Sequence, residues 1–210
     1  MIDLHEIVQG SDQWFATRIG KVTASRVADV LAKTKSGYSA SRDNYMAQLV
    51  CERLTGQREE FFTSAAMQHG TDTEPLARLS YEVANNVLVD EVGFVPHPTI
   101  AMAGASPDGL VGDDGLLEIK CPNTATHIDT LLTQIVPSKY NTQMQFQMAC
   151  TGRSWCDFVS FDNRLPEELQ LFVKRVPRDD VFIKQTEDAI VKFLAELDDK
   201  IIKLMKVKNV

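Results

Sequence analysis

The sequence predicts an α/β (α+β) fold, a central mixed, mostly antiparallel sheet flanked by helices. Two observations carry this. Apolar residues recur at three- and four-residue intervals through residues 11–85 and again after residue 179, the period of a helix with one buried face. Between them lie short runs rich in Val, Ile, Leu and Phe, separated by Pro, Gly and Asp turn signals, the pattern of strands. A third observation is negative: no G-x-G-x-x-G or phosphate-loop motif occurs, so a doubly wound nucleotide fold is not expected.

The elements follow in order. Ser11 can cap a short helix bearing Trp14, Phe15 and Ile19, ended by Gly20. A second helix is expected from near Thr23, carrying Val27, Val30 and Leu31. Residues 33–41 are polar, include Gly37, and are expected to form a loop. Residues 42–54 return to helical spacing and Gly56 stops them. Residues 64–85 are helical in period but contain Pro75. An interior proline costs a helix about 3 kcal/mol, so a kink or break is expected near Thr73. Strands are expected over 87–96, 101–104, 108–111, 116–120, 156–161 and 169–176, with a hairpin turn at Asp113-Asp114-Gly115. A helix over 138–151 interrupts them. A long amphipathic helix over 179–206 carries Ile190, Phe193, Leu194, Leu197, Ile201, Leu204 and Met205 on one face.

The 210 residues, 44% apolar and 24% charged, suit one globular domain over 1–210, with N-terminal helices in 11–60. Such a chain should bury roughly 70% of its unfolded surface. No run of 18 apolar residues occurs, so no transmembrane helix is expected. The acidic N-terminus, with Asp3 and Glu6, lacks the apolar core of a signal peptide. Cys51, Cys121, Cys150 and Cys156 form no Cys-x-x-Cys pair. That excludes a zinc ribbon and suits free thiols in a reducing cytoplasm. A net charge of -7 argues, on its face, against nucleic acid as a partner. The charge is unevenly spread: residues 14–58 hold eight basic and three acidic residues, a net of +5, which leaves -12 elsewhere.

The chemistry concentrates in residues 106–120. A hairpin there brings Asp108 alongside Lys120. Alternation along the second strand puts Glu118 and Lys120 on one face, Leu117 and Ile119 on the other. Two neighbouring carboxylates repel unless a cation or proton lies between them, and an oxygen-preferring divalent ion such as Mg2+ suits them. The Lys120 ammonium can hold a water or stabilise developing negative charge. Together these are the ingredients of metal-assisted phosphodiester hydrolysis. The segment alone leaves a plainer reading open, in which Pro107-Asp108-Gly109 is a turn and Glu118-x-Lys120 a solvated face. It is not an EF-hand, whose alternating ligands it lacks.

Five motifs in order resemble the PD-(D/E)xK nuclease superfamily, and within it the phage lambda-type and YqaJ-like alkaline exonucleases, or viral recombinases. They are Trp14-x-x-x-Arg18-x-Gly20-x-x-Thr23-Ala24-Ser25, Gly70-x-x-x-Glu74, Ser106-Pro107-Asp108-Gly109, Glu118-Ile119-Lys120-Cys121-Pro122, and Tyr140-x-x-Gln143-x-Gln145. The resemblance implies a restriction-endonuclease-like core. It implies Mg2+, with Mn2+ able to substitute, on Asp108, Glu118 and the main-chain carbonyl of Ile119, with Glu74 acting through water. Lys120 would be the catalytic lysine, and Gln143 would orient the attacking water or the scissile phosphate. Arg18, Ser25 and Ser106 would grip a terminal 5′-phosphate, a task that suits the planar fork of an arginine. The implied activity is processive 5′→3′ digestion of double-stranded DNA ends, leaving a 3′ single strand for recombination. A ring-shaped homotrimer, a single-strand annealing protein as partner, and a phage or prophage origin are also implied. The alternatives are an endonuclease on the same fold, a non-catalytic DNA-binding module, and an enzyme acting on RNA.

Other residues carry plainer expectations. His69 is expected to be structural rather than a metal ligand, and His5, His97 and His127 carry no pattern. Gln145 and Gln147 are expected on a helix surface or against DNA. Asp113, Asp114 and Asp129 are expected as turn or surface acids, and Trp14 and Trp155 as packing anchors. Lys33, Lys35 and Arg42 flank the polar loop, either contacting duplex phosphates or simply solvated.

Overall fold

A computed structural model describes residues 7–35, 37–58 and 64–207; His5 lies outside them. The chain runs α1 (Asp12–Arg18), β1 (Val22–Thr23), a 3-10 turn (Ala24–Arg26), α2 (Val27–Leu31), a small hairpin of β2 (Lys33–Thr34) and β3 (Gly37–Tyr38), α3 (Ala40–Thr55) and α4 (Ala65–Asn85). It continues with β4 (Val89–Asp90), β5 (Val95–Pro96), β6 (Ala103–Ala105), β7 (Gly109–Val111), β8 (Gly115–Lys120), α5 (Thr124–Thr133), α6 (Ser138–Thr151), β9 (Trp155–Phe161), β10 (Leu171–Pro177) and α7 (Asp180–Val207). The main sheet has the order β10-β9-β8-β7-β4. Only the β8–β9 pairing in it is parallel. A parallel pair needs a crossover, and α5 and α6 supply it. A second sheet, β1-β6-β5, lies beside the first.

Alternation decides which helix covers which face. Leu116, Cys156 and Phe158 point toward α6 and join one core with Val27 of α2, Tyr45 and Leu49 of α3, and Ile190, Phe193 and Leu197 of α7. Leu117, Ile119, Val159 and Phe161 point the other way and pack on Ala77 and Tyr81 of α4. The sheet is therefore closed on both faces. No described helix is long and apolar enough to cross a membrane.

The structure corrects several sequence expectations. Helix α4 runs unbroken through Pro75, without the break near Thr73. Pro75 and Thr71, whose carbonyl loses its usual partner, both face solvent, so water can satisfy that carbonyl. Thr73, Ala77 and Tyr81, one turn apart, hold the helix on the sheet from the buried side. The expected strand 87–96 divides between the two sheets, β4 pairing with β7 and β5 with β6. Phe94 and the first residue of β5, Val95, are buried in succession, which breaks simple alternation. The helix expected from near Thr23 is present, Thr23 ending β1 and standing at the N-cap of the 3-10 turn that leads into α2, whereas β2 and β3 pair as a hairpin where an open loop was expected. Helix α5 was not expected: its main signal is the Asn123 side chain, which accepts from Thr126 N, and its buried residues are His127 and Thr130 rather than an apolar stripe.

Candidate active site

The hairpin β7–β8 pairs Gly109 with Leu117. This register carries Asp108, just before β7, to the end of β8. There its Oδ2 accepts from Ile119 N at 2.6 Å. Glu118 is completely buried, because α6 lies over it. Gln143 and Gln147 stand one turn apart on that helix, where i and i+4 side chains share a face. Gln143 Nε2 donates to Glu118 Oε1 at 2.7 Å and Gln147 Nε2 to Oε2 at 2.6 Å. The Lys120 ammonium pairs with Glu118 Oε1 and donates to Ile119 O at 2.9 Å. From the opposite face α4 brings Glu74, whose Oε1 accepts from Arg78 at 3.1 Å. Glu74, Ile119, Lys120 and Tyr140 line one cavity of about 660 Å3.

The electrostatics are those of crowded carboxylates. Burial and then Glu118 push the Asp108 carboxyl well above its usual range, against the pull of Lys120. Burial also raises Glu74, and Arg78 offsets part of this. Burial would lower the Lys120 ammonium, but Glu118 and Asp108 override it and hold Lys120 above its ordinary value. A bound cation would reverse the carboxylate shifts by stabilising the charged forms.

Among the described residues no group of three or more His, Cys, Asp and Glu side chains is placed to hold a metal ion. The donors available are instead two carboxylates, Asp108 and Glu118, and a main-chain oxygen. This all-oxygen set fits Mg2+ or Mn2+. Lys120 touches Ile119 O and Glu118 Oε1 together, so positive charge is already favoured at those oxygens.

A second pocket lies beside this one. Arg18 Nη1 donates to Ser106 Oγ at 3.0 Å, as does Trp14 Nε1 at 2.9 Å. The Arg18 guanidinium lies 4.0 Å from the Trp14 ring centroid, so Trp14 fixes an arginine as well as packing. Ser25 and Arg18 line a cavity of about 330 Å3. Burial lowers Arg18 to about 10, with Tyr45 opposing and Arg58 adding to the shift. An entering anion would compensate that buried charge. Ser106 lies two residues before Asp108, and Met67 lines both cavities, so the two pockets adjoin.

The structure thus brings together Asp108, Glu118, Ile119, Lys120, Gln143 and Glu74 in one cluster, and Arg18, Ser25 and Ser106 in the next. Sequence reasoning missed Gln147, which is buried on Glu118 rather than on the helix surface; its i, i+4 spacing from Gln143 was the available signal. Gln145 is no DNA contact either. It is buried, donating to Pro177 O and accepting from Asp179 N, both at 2.8 Å, and so ties α6 to the start of α7. Arg42 is not a loop cation: it is 3% exposed, lies between the Tyr38 and Phe193 rings, and pairs with Glu196 at 2.8 Å. His97 and His127 are buried, bonded to Glu187 and Ser160 respectively. His69 reaches Thr73 Oγ1 at 3.3 Å and does not line the Glu74 cavity.

A mixed sheet with Asp108 and Glu-x-Lys at one strand end, flanked by α4 and α6, defines a nuclease fold of the PD-(D/E)xK type. The model of the YqaJ-like viral recombinase domain matches residues 13–154, and the chain belongs to that family. It is similar to the solved alkaline exonuclease LHK-Exo from Laribacter hongkongensis, with 56% identity, 95% of this chain and 98% of that chain covered, and a TM-score of 0.89. LHK-Exo in complex with dAMP matches over the same shares of the two chains at 55% identity and a TM-score of 0.90. A phage-related exonuclease from Haemophilus somnus 129PT shares the fold at 16% identity, covering 88% of this chain and 96% of that one with a TM-score of 0.71. An uncharacterized protein of Acanthamoeba polyphaga mimivirus, R354, is 27% identical over 168 residues. That match takes in 72% of this chain but spans only 28% of the length of R354.

Proposed function

We propose that this chain is a Mg2+-dependent, processive 5′→3′ exonuclease that degrades the 5′-phosphorylated strand of double-stranded DNA ends. The observation that carries the reading is the adjacency of two sites: the Asp108–Glu118–Lys120 cluster and the Arg18–Ser106 pocket. One suits phosphodiester hydrolysis and the other a terminal phosphate. LHK-Exo, solved with dAMP, supports a deoxynucleotide as the released product.

In this reading Asp108, Glu118 and Ile119 O hold Mg2+, with Mn2+ able to replace it, and Glu74 assists through water. The bound cation supplies Lewis-acid stabilisation of the phosphoryl oxygens. Gln143 and Gln147 fix the Glu118 carboxylate, and Gln143 orients the attacking water or the scissile phosphate. Lys120, kept protonated by Glu118 and Asp108, donates to negative charge on the phosphate rather than removing a proton. Arg18, Ser25 and Ser106 hold the 5′-phosphate, so cutting starts at an end and each cut leaves a new 5′-phosphate to bind.

The reading extends to one nuclease domain over residues 1–210 and a homotrimeric ring. Exposed Leu76, Leu79 and Val83 on α4, and Ile128 and Leu132 on α5, supply two different apolar faces, as head-to-tail assembly requires. A single-strand annealing protein would receive the 3′ strand, in the cytoplasm of a bacterial host carrying the phage or prophage gene. The test is digestion of end-labelled linear duplexes in Mg2+. Release from the 5′ end, faster with 5′-phosphate than 5′-hydroxyl and lost in Lys120→Ala and Asp108→Ala, is expected. Cleavage of covalently closed circles would overturn the exonuclease reading in favour of an endonuclease.

A further inference from the structure

The 330 Å3 pocket around Arg18 continues outward. A second cavity of about 580 Å3 lies on the outer side of α3, and the two share Arg26, Gln48 and Arg58. Its outer wall adds Asn44, Ala47 and Gln57, all exposed. The joined trough carries arginine and amide side chains beside aromatic and aliphatic walls. Arg26 is held over the Tyr45 ring, 4.2 Å from its centroid, by Asp29 at 2.6 Å and by Gln48 Oε1 at 3.0 Å. Arg58 lies 3.6 Å from the Phe15 ring centroid and has no acidic partner among the described residues. Among the described residues the one acid lining either cavity, Glu52, is 6% exposed. Its oxygens already accept from Gly20 N and Gln48 Nε2, both at 2.8 Å. Arg18 lines only the inner chamber, whereas Arg26 and Arg58 line both, so cationic side chains continue past a phosphate held at Arg18.

We propose that this outer chamber is a second nucleotide subsite, taking one further 5′ nucleotide and its phosphate when a DNA strand overhangs the duplex. The proposal rests on the exonuclease reading above for the position of the terminal phosphate. A blunt end fills the Arg18 pocket alone. A 5′ extension can slide one nucleotide deeper, its terminal phosphate meeting Arg26 and Arg58 and its next phosphate meeting Arg18. Hydrolysis in that register adds water to the next phosphodiester. The water oxygen bonds to phosphorus, the bond from phosphorus to the 3′ oxygen breaks, and that oxygen takes the proton. A 5′-phosphorylated dinucleotide leaves, and the shortened strand keeps a 5′-phosphate.

The full chain in Mg2+ is given duplexes that are blunt or carry a two-nucleotide 5′ extension, both 5′-phosphorylated, and the first product is resolved. Mononucleotide is expected from blunt ends, and a mixture containing dinucleotide from extended ends. Ala47→Glu, a helix-compatible exposed change that adds negative charge only to the outer chamber, should lower the dinucleotide-to-mononucleotide ratio about tenfold. Arg26→Met should do the same, as expected for a lost charged contact. Mononucleotide alone from both ends, or a ratio unmoved by both substitutions, would overturn the proposal. Binding of the same two duplexes in EDTA decides it independently of turnover. Tighter binding of the extended end, abolished by Ala47→Glu, supports the subsite even if the exonuclease reading fails; equal binding rejects it even if that reading holds.

Discussion

Gln147 shows what one buried side chain can do for a charge. Glu118 is 0% exposed, and a buried carboxylate is costly unless it is paired and hydrogen-bonded. Gln143 and Lys120 serve Oε1, while Oε2 has Gln147. The other end of Gln147, its Oε1, is buried without a partner among the described residues, so this amide is placed for the carboxylate and not for its own satisfaction. Gln147→Leu should destabilise the fold by about 1–3 kcal/mol, the usual penalty for a stranded buried acceptor. It should also raise the Mg2+ concentration needed for half-maximal activity, because Glu118 would lose its fixed orientation. Urea melts and Mg2+ titrations of the purified variant check both. An unchanged Mg2+ requirement would reduce Gln147 to a packing role.

Among the elements, α4 carries the sharpest conflict between local propensity and tertiary packing. Pro75 removes one helical hydrogen bond, yet the helix persists from Ala65 to Asn85. Tertiary contacts on one face outweigh a local penalty on the other. Pro75→Ala should therefore raise stability by about 1–3 kcal/mol, by restoring the N–H that can bond Thr71 O. Thermal melts would show it as a higher midpoint, and a lower one would mean the ring makes a contact worth more than the hydrogen bond. Helices α3 and α7 were legible because their apolar period is sustained. The hairpin β7–β8 was legible because turn residues separate two apolar runs. The division of residues 87–96 was not, since the choice of hydrogen-bond partner is made by distant strands. Helix α5 was missed because it buries His127 and Thr130 rather than an apolar stripe.

For the whole molecule the question is how a chain of net charge -7 meets a polyanion. The basic excess of residues 14–58 is real, but the structure divides it. Arg42 and Arg53 are spent on α7, pairing with Glu196 at 2.8 Å and Asp198 at 2.5 Å. Arg18, Lys21, Arg26 and Arg58 line one cavity; Arg26 is shared with Asp29 at 2.6 Å, while the other three have no acidic ion-pair partner among the described residues and remain for the strand end. About three phosphate contacts would give a slope of log affinity against log salt near -2 to -3. Duplex-end binding measured across a salt series should fall that steeply; a flat dependence would place the DNA elsewhere.

The sequence alone determined the helix and strand periods, the β7–β8 hairpin, and the motif order that marks the nuclease family, because each depends on neighbours a few residues apart. It also placed Glu118 and Lys120 on one strand face. Whether that face met water or protein was settled only when the parallel β8–β9 pairing required a crossover and laid α6 across it. Burial then turned Glu118 from a surface acid into a fully bonded carboxylate beside Asp108. The same closure separated the arginines that brace α7 from those that line the pocket, a choice made by packing between segments more than a hundred residues apart.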